Sequence, residues 1–100
     1  MSSKKFVVMV AGMAQKGMED YVKDYLTRLT KHSQNDPGCL VYHTHQSLKN
    51  PNEFMMYSVW ENEDAFEAHN LKPEMQEFKK ELNRAMFDIQ SSKTHWRLLE

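Results

Sequence analysis

The sequence predicts an α+β fold: a ferredoxin-like β-α-β-β-α-β sandwich, an antiparallel sheet with two helices on one face. Three observations predict it. Apolar runs of strand character alternate with helical periodicity in that order. The two middle strands are separated by only a short turn, which makes them a hairpin. The chain has 100 residues and no linker, repeat or low-complexity tract, so one domain over residues 1–100 is expected.

Each element has its own reason. "KKFVVMVAGM" is a compact valine-rich run and reads as a buried strand near residues 5–12. Gly12 and Gly17 bracket a short connection. Met18, Tyr21, Val22, Tyr25, Leu26 and Leu29 then recur at helical spacing, which predicts a helix near 17–35. Glu19 and Asp20 suit the dipole of its first turn, and "NDPG" ends it with turn chemistry. "CLVYHTHQS" alternates with β-branched and aromatic residues, a strand near 39–47. "LKNPNE" turns the chain into "FMMYSVWE", a third strand near 53–61. Asn62 is a good N-cap, with Glu63 and Asp64 in the first turn behind it. That helix breaks at Lys72-Pro73 and restarts with proline in its first turn. Met75, Phe78, Leu82, Ala85, Met86 and Ile89 carry the restart over 73–89, and "SSKTHWRLL" is a last strand near 92–99.

Composition excludes several classes. With 40% hydrophobic and 27% charged residues and a net charge of −1, the chain carries no basic stripe for nucleic acid. No apolar run approaches the roughly 20 residues of a membrane span. "MSSKKF" leads into an apolar run without a convincing cleavage site, so the start reads as a first strand and not as a signal peptide. The one cysteine, Cys39, cannot form an intrachain disulfide, and a cytoplasmic location is expected. There is no phosphate loop, no dinucleotide fingerprint and no Gly-x-Ser-x-Gly; no cofactor is expected.

Two helices cover only one face of such a sheet, and a wet second face should be polar. Here "FVVMV" is apolar on both faces, and "FMMYSVW" puts Phe54, Met56, Ser58 and Trp60 on one face and Met55, Tyr57 and Val59 on the other. The uncovered set predicts a homodimer with the two sheets packed face to face.

The candidate chemistry gathers around "SVWENEDAFEAH". If the Trp60 face meets the helices, Trp60 converges with Tyr21 and Tyr25 from the first helix and with Phe66 and His69 from the second. Such an aromatic cluster with polar tips describes a small-molecule pocket or an ordinary core. His43 and His45 stand two apart on one strand, so they share a face. They form half of a metal site, or polar residues at a sheet edge or dimer seam; no metal is expected from two ligands of common type. His32 shares a helix face with Tyr25 and Leu29 and reads as a partly buried side chain. Cys39 has no base beside it and reads as inert.

"PGCLVYHTHQS" followed by "FMMYSVWENEDAFEAHNLKPEMQEF" resembles the antibiotic biosynthesis monooxygenase family of dimeric α/β barrels. The residues that carry the likeness are Gly38, Tyr42, Trp60-Glu61, Asp64-Ala65-Phe66, Ala68-His69, Pro73 and Phe78, and it extends over about residues 5–98. The resemblance implies the dimeric barrel and a small-molecule substrate. Members include cofactor-free oxygenases that turn polyphenols into quinones, haem-degrading proteins and processors of small signalling molecules. In the oxygenases the deprotonated substrate itself reduces O₂. By resemblance Trp60 packs on the aromatic substrate. His69 is a pocket group or base, or else a helix-start residue that holds the turn. Tyr25 is a weaker pocket candidate from the first helix; Phe66, from the aromatic cluster itself, and His43 and His45 are further substrate-contact candidates. The haem-degrading branch uses an asparagine on the first strand and a histidine far along the second helix; "FVVMVAGM" and "PEMQEFKKELNRAMF" have neither. Arg28, Arg84 and Arg97 fall on no motif position. The expected function is therefore a cofactor-independent monooxygenase on a small aromatic or quinol substrate. The alternatives are an isomerase or signal-molecule processor using His43, His45 or His69 as acid and base, and a non-enzymatic dimeric ligand-binding protein.

Overall fold

A computed structural model describes residues 5–87 and 93–99. The elements run β1 (Phe6–Ala14), α1 (Glu19–Gln34), β2 (Cys39–Gln46), β3 (Glu53–Trp60), α2 (Glu63–Leu71), α3 (Pro73–Ala85), β4 (Met86–Phe87) and β5 (Thr94–Arg97). All described strand pairs are antiparallel, in the order β2-β3-β1, with β4 and β5 sharing the far edge of β1. Among the described residues, β4 and β5 together stand where the ferredoxin-like pattern has its fourth strand. β4 lies opposite Met13 and Ala14, and β5 lies opposite Phe6 to Met9.

Three boundaries differ from the sequence reading. β1 continues through Gly12 to Ala14, because Gly12 pairs with Phe54 and Met13 with Glu53. The connection is the turn at Lys16-Gly17, where Gly17 takes a φ of 83°. α3 stops at Ala85, not residue 89: Met86 is buried, as the helical pattern requires, but it pairs with Ala14 in the sheet. Ile89 lies outside the described residues. The last strand is shorter than expected, 94–97.

The register fixes two faces. Val8, Tyr42, Phe54, Met56, Ser58 and Trp60 point to the helices and are buried under Val22, Leu26 and Leu29 of α1, Phe66 of α2, and Met75 and Leu82 of α3. Burial of one such side chain contributes about 1.5–3 kcal/mol. The other face carries Met9, Val41, Met55, Tyr57 and Val59, with Trp96 of β5 opposite Val7. No described helix lies over it. Among the described residues no helix is long and apolar enough to cross a membrane.

Candidate functional site

The turn between α1 and β2 builds the site. Pro37 fixes a bend, and Gly38 follows it at a φ of 82°, a backbone region that disfavours side chains. A Cβ on Gly38 would meet the Cβ of Ala65 at 2.6 Å, so the turn presses against the start of α2. The Gly38 carbonyl accepts from the Glu61 backbone N–H at 2.8 Å, and Asn62 caps α2 by accepting from the Ala65 N–H at 2.9 Å. These contacts place Asp36, the residue before Pro37, beside the last turn of α2.

There Asp36 meets His69. His69 Nδ1 donates to Asp36 Oδ2 at 2.5 Å, and Lys72 Nζ donates to Asp36 Oδ1 at 2.5 Å. The side chains of His69 and Asp36 are 2% and 3% exposed, that of Lys72 is 35% exposed, so this is a buried pair with one wet cation. Burial opposes the charge on Asp36, but the hydrogen bonds from His69 and Lys72 outweigh it and hold the carboxyl below its ordinary value. Burial lowers the imidazole pKa of His69, and the raising effect of Asp36 only partly offsets it. The result is an ionised Asp36 and a neutral His69 near pH 7. With Nδ1–H committed to the carboxylate, the tautomer leaves a lone pair on Nε2.

His69 lines a cleft between the inner sheet face and α2 and α3. Val8, Met56, Phe66 and Leu82 make much of the wall, with the Ser58 hydroxyl and Tyr42 phenol as polar points. Burial pushes the Tyr42 phenol far up, so it stays protonated. The centre of a water-sized sphere reaches about 60 Å³ of this space. One water needs about 10–15 Å³ on that measure, so several water-sized groups fit.

The other sequence candidates are distributed around this cleft. Trp60 is fully buried and does not line it. Its ring centroid lies 4.6 Å from that of His69, and its Nε1–H donates to Ser58 Oγ at 3.0 Å, so it backs two cavity residues. Tyr25 is half-buried on α1, edge-on to Phe78 at 5.3 Å, and does not line the cleft. His43 and His45 are exposed, with ring centroids 6.5 Å apart, and they pair opposite Tyr57 and Met55 on the far side of the sheet. The structure therefore brings Phe66 and His69 to the cleft, sets Trp60 behind them, and separates His43 and His45 from them by the sheet. Among the described residues no three metal-ligating side chains come together. Cys39 is half-buried, and burial, with the nearby charge of Asp36, raises its thiol to about 11; it is no nucleophile at neutral pH.

A ferredoxin-like antiparallel sheet with helices over one face, and an apolar cleft beneath them that His69 lines with Asp36 behind it, defines the class of α+β fold. The chain belongs to the antibiotic biosynthesis monooxygenase family, whose model matches residues 5–81. Solved structures agree on the fold. A Deinococcus radiodurans protein named for the same family is 19% identical, with a TM-score of 0.88 over 95% of this chain and 93% of its own. A Pseudomonas aeruginosa protein is 20% identical, with a TM-score of 0.83 over 100% and 97%. A conserved Bacteroides thetaiotaomicron protein of unknown function is 15% identical, with a TM-score of 0.82 over 99% and 100%. No curated protein matches the chain.

Proposed function

We propose that this chain is a cofactor-independent monooxygenase acting on a single-ring phenol or quinol, with His69 as the general base and Asp36 as its positioning residue. The observation that carries this reading is the buried Asp36–His69 pair, whose imidazole is neutral and faces an apolar cleft. In the reaction His69 Nε2 takes the phenol proton. The phenolate, held away from bulk water, passes electrons to O₂. One oxygen atom ends on the ring carbon and the other leaves as water, so phenol plus O₂ gives quinone plus water. The small cleft volume favours a single-ring substrate over the multi-ring anthrones. The homodimer belongs to the same proposal: Met9, Tyr57 and Trp96 present an apolar face that a second copy would cover.

The test is oxygen consumption with a panel of hydroquinones and substituted phenols, with two-ring naphthols as the size comparison. His69→Ala should lower the enzymatic rate by about 10²–10⁴-fold, and Asp36→Asn by less, with both variants folded. Turnover that needs no oxygen but still needs His69 would instead favour an isomerase, which the same neutral imidazole could serve. Uptake that is unchanged in His69→Ala overturns the assignment of the base.

A further inference from the structure

The cleft is apolar in its depth but not at its rim. Lys79 of α3 and Lys93, just before β5, both line it, together with the amide side chain of Asn70. Both lysines are half-buried, and Lys93 Nζ sits 5.9 Å from the centre of the Phe66 ring, itself on the cavity wall. Among the described residues no acidic side chain lines the cleft, and neither lysine is in an ion pair. The contrast with the neighbouring cations is direct. Lys72 is neutralised by Asp36, and Lys80 lies on the solvent side of α3 within 3.8 Å of Glu77. Asp36 is already occupied by His69 and Lys72 and does not line the cleft. Two like charges held together over an apolar cleft repel each other, and a bound anion relieves that repulsion.

We infer that the cleft selects an anionic substrate, a single-ring hydroxyaryl acid whose carboxylate is held by Lys79 and Lys93 while its phenol faces His69. This deepens the proposed function and rests on its reading of the cleft as a small-molecule site. The electrostatic setting agrees. Burial, and then the like charge of Lys93, hold the Lys79 amine below its ordinary value, while Glu67 on the exposed side of α2 opposes this more weakly. An incoming carboxylate compensates both costs at once, and a neutral phenol of the same shape compensates neither.

The experiment compares 4-hydroxybenzoate with 4-hydroxybenzamide, which share shape and phenol but differ in charge. Binding is followed by amide chemical shifts in the wild type, in the double variant Lys79→Gln/Lys93→Gln, and in Lys80→Gln. The acid should bind the wild type about tenfold or more tighter than the amide, with shifts at Phe66 and His69, and the preference should shrink as salt is raised. The double variant should lose the preference while its affinity for the amide holds; Lys80→Gln should keep the preference. Equal binding of acid and amide, or a preference that survives in the double variant, overturns the inference and leaves the pocket reading standing. Failure of both probes to shift cleft residues overturns the two together.

Discussion

The two tryptophans carry one local arrangement on opposite faces of the sheet. Trp60 donates its indole N–H to the hydroxyl of Ser58, two residues back on β3, at 3.0 Å. Trp96 donates to the hydroxyl of Thr94, two residues back on β5, at 2.9 Å. Trp60 is 0% exposed and Trp96 is 55% exposed. Each strand therefore satisfies its own indole, and neither polar group needs water. The difference is cover alone. Helices lie over the inner face, and nothing described lies over the outer one. A satisfied indole left exposed opposite Val7, on the same face as Tyr57 and Met9, is a surface suited to a partner, not one adapted to solvent.

The comparison is broken most strongly from the inside. Trp60→Ala removes a fully buried indole, leaves the Ser58 hydroxyl with only its 3.5 Å bond to the Val8 carbonyl, and takes the backing from His69. It should cost about 3–5 kcal/mol, read as a lower midpoint in chemical denaturation. A loss below about 1 kcal/mol would mean that the inner face repacks freely, and that Trp60 does not anchor the core.

The outer face should answer in a different currency. Trp96→Glu should weaken dimerisation by about 30-fold or more, roughly 2 kcal/mol, measured by light scattering across a dilution series. At concentrations where both proteins are monomeric, stability should change by less than about 0.5 kcal/mol, because the side chain is then solvated. A wild type that is already monomeric at high micromolar concentration would remove the proposed partner face.

The sequence makes the frame legible because hydrophobic period and turn chemistry agree over most of the chain. Asn62 does cap α2, and Pro73 does restart a helix. The agreement fails where one pattern serves two structures. Leu82, Ala85 and Met86 fit a helical stripe, yet Met86 satisfies its burial from a strand, and only pairing with Ala14 decides between them. The site divides in the same way. His69 stands in a motif, so residue type and spacing point to it. Asp36 reads as a turn residue in "NDPG", and its partner lies 33 positions away. Pro37-Gly38 was the one local hint, since a tight left-handed turn aims the preceding side chain. Lys79 and Lys93 look like surface lysines in sequence, because nothing local shows the apolar cleft between them.

The smallest expected effect tests the Asp36–His69 pair itself. Both groups have pKa values below their ordinary ones in the folded chain. For each, the unfolded chain binds more protons over the intervening range, so stability falls as pH falls. The His69 contribution is complete above about pH 6.5, its ordinary value, and is lost as the pH drops toward its lower folded pKa. The Asp36 contribution is complete above 3.8 and is lost below it. Asp36→Asn should cost about 1 kcal/mol at pH 7, the worth of a typical hydrogen bond. It should also flatten the acid limb below 3.8 in a plot of melting temperature against pH. Because Asp36 raises the His69 pKa while burial and Lys72 lower it, removing the carboxylate should send the His69 titration further down, not up. Proton NMR of the imidazole reads that direction without ambiguity. A His69 resonance that titrates higher in Asp36→Asn would mean that the carboxylate does not hold Nδ1, and the base would lose its positioning residue.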